Sequence, residues 1–225
     1  MWKRIKSLLQ EKQAALAQPL DNDSVQAAVD EVLQLDLSTD APRAEHDAQV
    51  VRVLKQLDAA IAKVCQGANN YPVNSISAAV WMDGASFSTL ACNLTHKFRE
   101  AGWLQCEETA SALWAKATLA VCSHYHHLVG PAMLANADCH DRLGNGDHAS
   151  QMYASVVKDF VFLLDDRSDN DEAPSDDDRT ALTCLATATE RLLTHGTTEL
   201  DGIDLEETRA LTQSVLTRTA SEDEA

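Results

Sequence analysis

An all-α chain of antiparallel helical hairpins is predicted by three features of these 225 residues. Apolar side chains recur at three- and four-residue spacing between short clusters of Asn, Asp, Gly and Pro, the period of helices that bury one stripe. Only eight Gly and five Pro occur, too few for the many tight turns of a sandwich or barrel. No useful stretch alternates apolar and polar residues as a half-buried strand does. With 45% hydrophobic side chains, one ordinary domain or two small ones can close a core.

Nine helices are expected. The first, over 2–17, ends before Pro19, and the second, over 24–36, opens at Asp21-Asn22-Asp23-Ser24, whose short polar side chains cap first-turn amides. The third, over 42–66, starts near Pro42, where a missing N–H costs nothing, and stops at Gly67. Its Val50, Leu54, Leu57, Ile61 and Val64 form a narrow stripe suited to another helix. Asn69-Asn70-Tyr71-Pro72 reads as a turn, followed by a helical region over 75–101 that breaks near Asp83-Gly84. Helices over 105–128, 131–143, 147–165, 177–195 and 204–219 complete the set, the last opened by an Asp204/Glu207 variant of the capping box. Isolated helices of this length are marginal in water, so each needs a neighbour, and short connections make successive helices antiparallel. The chain divides into N-terminal helices over 1–68, hairpins over 75–165, an acidic linker over 166–176, a C-terminal hairpin over 177–219 and a disordered tail over 220–225.

Eighteen Lys and Arg against 35 Asp and Glu give a formal charge of −17, which repels a polyphosphate backbone and argues against nucleic-acid binding. Six cysteines are spread without CxxC spacing, and the first thirty residues hold no export signal, so free thiols and a cytoplasmic location are expected. No run approaches the roughly 20 apolar residues of a membrane span. Trp2, Ile5, Leu8, Leu9 and Leu16 make an apolar face beside Lys3, Arg4, Lys6 and Lys12. Such a segment suits a membrane interface or a protein surface; the acidic body resists an anionic bilayer and favours the protein surface.

Two stretches share a pattern. Over 131–164 it consists of Ala137, His140, Gly144, Ala149, Tyr153 and Val156; over 88–120, of Leu94, Phe98, Gly102, Ala110, Trp114 and Ala117, with a turn about three residues longer. In this the chain resembles the tetratricopeptide repeat, a helix–turn–helix unit of about 34 residues. Asn136, where the family prefers Leu, and Val161, near a frequent Pro, depart from it. The resemblance implies that the alanines pack closely, that first helices line a concave groove, and that Thr95, Arg99, Asn136 and His140 contact a partner there. It also implies that 177–219 caps the stack as a degenerate hairpin.

Cys122, Ser123, His124, Tyr125, His126 and His127, with Cys139-His140 and His148 beyond, are the sharpest local anomaly. If helical, Cys122 and His126 share a face, and Cys139 or His140 from the next helix completes a tetrahedral metal site. The same histidines titrate near neutrality and suit a pH-sensitive contact. No phosphate loop, nucleophile elbow, zinc-protease or cysteine-protease motif occurs. The sequence therefore reads as a non-enzymatic, cofactor-free adaptor or scaffold that takes a protein or peptide partner in a groove between hairpins. The alternative is a small metal-binding bundle using Cys122, His126, Cys139 and His140.

Overall fold

The computed structural model describes residues 22–38, 43–69, 76–164 and 173–218; the expected helix over 2–17, the turn after Asn69, most of the acidic stretch and the tail lie outside them. Among the described residues the chain is all-α. Eight helices follow in order: α1 (Asn22–Gln34), α2 (Arg43–Asn69), α3 (Ala78–Ala101), α4 (Leu104–Val121), α5 (Val129–Arg142), α6 (Gly146–Phe160), α7 (Asp176–Thr194) and α8 (Leu205–Leu216). A two-stranded antiparallel ribbon, β1 (Glu199–Leu200) with β2 (Ile203–Asp204), joins α7 to α8. The ribbon was not expected: Asp201 and Gly202 both take positive φ, the backbone of a two-residue hairpin turn, and its strands are too short to show alternation.

Helix ends follow their local chemistry. Ser77 accepts the Val80 N–H at the start of α3, and Asp204 accepts the N–H groups of Glu206 and Glu207 at the start of α8. Ser175 accepts from the Asp178 N–H, so Asp176, at the end of the expected linker, joins Asp177 and Asp178 in the first turn of α7, where all three complement its positive end. Gly102 (φ 72°) closes α3, and Gly144 (φ 80°) follows α5, a conformation that side chains with a Cβ resist.

Three boundaries differ from expectation. Gly67 lies inside α2, and Gly84 lies inside an unbroken α3. The missing Cβ of Gly84 serves packing, since an added one would strike Val121 of α4 and come within 3.2 Å of Val64 of α2. α4 stops at Val121 instead of running to 128; beyond it the backbone turns, with the His126 N–H donating to the Ser123 carbonyl and the Leu128 N–H to His126 Nδ1.

Each helix packs on its successor, and α1 also meets α3, α2 meets α4, and α5 meets α7. Two apolar cores result. Val29, Leu57, Ile61, Leu94 and Phe98 centre one within α1–α4; Tyr153, Phe160, Leu182, Leu185 and Leu205 centre the other within α5–α8. Each fully buried Leu or Phe contributes about 1.5–3 kcal/mol. α4 and α5 meet between the cores.

Gly130 opens α5 against the second core, where an added Cβ would lie 2.8 Å from Cys184 Sγ and 2.9 Å from Phe160 Cε2. Gly130→Ala should therefore lower unfolding free energy by about 1–3 kcal/mol through overpacking. Gly146→Ala, which meets open space, should cost nothing in the same urea titration.

Candidate functional site

The boundary between the cores is polar. Glu107 of α4 is completely buried; its Oε1 accepts from Arg99 Nε of α3 at 2.7 Å and also from Arg142 Nη2 of α5. A buried carboxylate without such partners would be too costly to leave charged. Both arginines remain partly exposed, at 37% and 44%, so they keep part of their hydration. One turn along, Asn136 Nδ2 of α5 donates to Ser111 Oγ of α4 at 2.9 Å. Glu107 Oε2 and Arg99 Nη2 are buried with no hydrogen-bond partner among the described residues.

A groove of about 610 Å³ opens beside this seam. α3 contributes His96 and Arg99, α4 contributes Trp114, α5 contributes Pro131, Leu134, Ala135 and Asp138, and α7 contributes Asp176, Arg179, Thr180, Thr183 and Cys184. Its walls are fixed from behind. Arg179 donates through Nη1 to the Leu216 carbonyl of α8 at 2.9 Å, and Asp138 accepts the Tyr153 hydroxyl at 2.6 Å. Burial, then that bond, pushes the Tyr153 phenol well above its usual range. The groove thus combines an apolar floor, an indole, two guanidinium groups and two carboxylates.

Of the four residues expected to contact a partner, Arg99 lines the groove. Thr95 is turned inward, its hydroxyl donating to the Ala91 carbonyl at 2.8 Å, and Asn136 is the buried partner of Ser111. Both sit on the side of a first helix that faces its neighbours. His140 is mostly covered, 3.8 Å from Glu108 and edge-on to His148 at 4.4 Å. Trp114, Arg179 and Thr183 were not anticipated, because only the register of α7 beside α5 brings them to one groove.

Among the described residues, no group of three or more His, Cys, Asp or Glu is placed to hold a metal, so Cys122, His126, Cys139 and His140 do not converge. Cys122 and His126 lie beyond the end of α4 and share no helix face, while Cys139 Sγ turns toward the Leu104 carbonyl at 3.5 Å. Burial, then the Glu107 charge, raises the Cys139 thiol to about 11, which opposes the thiolate a metal requires. The histidines are engaged separately: His124 lies 3.7 Å from Asp159, His127 3.3 Å from Asp177, and the His126 ring lies 4.4 Å from that of His127.

Another polar line was invisible to motif reading. Ser150 Oγ of α6 is 2.8 Å from His195 Nδ1, just after α7, and His195 Nε2 is 3.2 Å from Asp141 Oδ1 of α5. The order is that of nucleophile, base and orienting acid. The Gly196 and Thr197 N–H groups nearby are spent on the Leu193 and Leu192 carbonyls, leaving neither to receive a developing oxyanion. The line ties together three helix ends. Compared with protein-family models, curated proteins and solved structures, the chain has no match.

Glu107→Gln removes the charge that both arginines share and should destabilise the protein by about 2–3 kcal/mol, read from the urea midpoint. His126 and His140 are held below the usual imidazole range, first by burial and then by His127 and His148 respectively. The folded state favours their neutral forms, so their contribution is full above the ordinary imidazole pKa and is lost as pH falls through the lowered value. The urea midpoint should drop between about pH 7.5 and 5.5, and His140→Gln should lose less over that interval than the wild type.

Proposed function

We propose that this protein is a non-enzymatic adaptor that holds an extended peptide segment of a protein partner in the groove between α3, α5 and α7. The observation that carries the reading is that side chains from α3, α4, α5 and α7 line one groove next to a fixed polar seam. An apolar floor with a few convergent polar groups is the usual make-up of a peptide groove. The resemblance to tetratricopeptide hairpins gains support from the left-handed Gly102 and Gly144 turns and from Ala110, Ala117, Ala137 and Ala149, all completely buried. All six cysteines are free thiols, which suits a reducing compartment such as the cytoplasm. No described helix is long and apolar enough to cross a membrane.

Selection from a displayed random-peptide library with the full chain should yield ligands of micromolar affinity. Trp114→Ala, which removes an aromatic anchor, and Thr183→Arg, which fills the groove from an exposed position, should each weaken binding at least about tenfold, or about 1.4 kcal/mol. Thr89→Arg, on an exposed position outside the groove lining, should leave it unchanged. Affinity that survives both groove substitutions contradicts the reading.

A further inference from the structure

We propose that the segment over 2–17 docks, within its own chain, on the end of the molecule where α2 finishes, α3 begins and the 122–128 loop crosses. That end carries a cavity of about 1080 Å³, lined by Cys65, Ile76, Leu119, Cys122, Tyr125 and Asp159 among others. Large apolar side chains around the loop stay uncovered: Tyr125 is 61% exposed, Leu128 46% and Phe162 39%, with Tyr125 and Phe162 edge to face at 5.4 Å. Trp81, 46% exposed, lies three residues before Gly84, the point at which α3 touches Val64 and Val121, and so stands at this same end. A grouping of this kind marks a surface built to be covered.

Charge and connectivity select the occupant. Lys116, a cation lining the cavity, is already paired with Asp58 at 2.7 Å. Asp159 and Asp177 face the imidazoles of His124 and His127 rather than a Lys or Arg among the described residues. The surface therefore suits an apolar stripe flanked by cations, as Trp2, Ile5, Leu8, Leu9 and Leu16 beside Lys3, Arg4, Lys6 and Lys12 provide. That segment joins the fold at the right place. Asn22, the first residue of α1, donates through Nδ2 to Asp83 at 2.6 Å, one residue before Gly84. Residues 18–21 reach up to roughly 13 Å, and so short a tether gives an effective concentration in the millimolar range, which favours the chain's own segment over a second copy.

The test is thiol labelling of the full chain by N-ethylmaleimide, read by mass spectrometry at Cys65 and Cys122, with Cys92 as internal reference. Full-length Ile5→Asp/Leu9→Asp should label Cys65 and Cys122 at least about fivefold faster than the wild type, with Cys92 unchanged and wild-type rates independent of protein concentration. Asp159→Lys should accelerate the same two thiols by a smaller factor, and added salt should do so in the wild type. Equal rates in the wild type and the double variant overturn the proposal. So does protection that grows with protein concentration, which assigns the surface to a second copy, or protection seen only with vesicles of anionic lipid, which assigns the segment to a membrane.

Discussion

A carboxylate with no exposure to water has to be held by cations, and Glu107 sets the frame of this molecule because its cations come from two other helices. Arg99 arrives from α3 and Arg142 from α5, and both meet one oxygen of α4. An apolar contact between helices tolerates sliding at little cost, whereas a buried ion cluster fixes register, since displacement strands a charge. The Asn136–Ser111 bond repeats the constraint one turn along. On either side of this seam lies an apolar core, four helices each.

The groove follows from that frame. Once α3, α4 and α5 are fixed, α7 packs on α5 and α6, and side chains of all four of α3, α4, α5 and α7 border a common channel. Arg99 belongs to both features: its Nε holds Glu107 while the residue lines the groove. The seam and the groove wall are coupled through that side chain, whose guanidinium is already oriented from behind. Pre-orientation lowers the entropy lost on binding.

Much of the fold was legible in local chemistry. Asp204, the stripe from Val50 to Val64, and the Gly102 and Gly144 turns each act where the sequence placed them. What escaped was set by contacts distant in sequence. Gly84 reads as a breaker in isolation, yet its role depends on Val121, and a helix can carry a glycine where two backbones must approach. The chain leaves helical geometry at Cys122 because the 123–127 stretch bonds to its own backbone, which no periodicity reveals. In the site, Arg99 was legible, but Thr95 and Asn136 lie a fraction of a turn around their helices, facing inward. A repeat pattern names the helix that lines a groove more readily than the face it presents. The seam itself joins residues eight and thirty-five apart, and Ser150, His195 and Asp141 come from three helix ends.

Through the Glu107 seam the two apolar cores form one cooperative unit. Native-state hydrogen exchange on the full chain, followed across low urea concentrations, tests it most directly. The slowest amides of α4 and those of α6 should open with the same free energy and the same urea dependence. Two separate opening energies, one for α1–α4 and another for α5–α8, would contradict it.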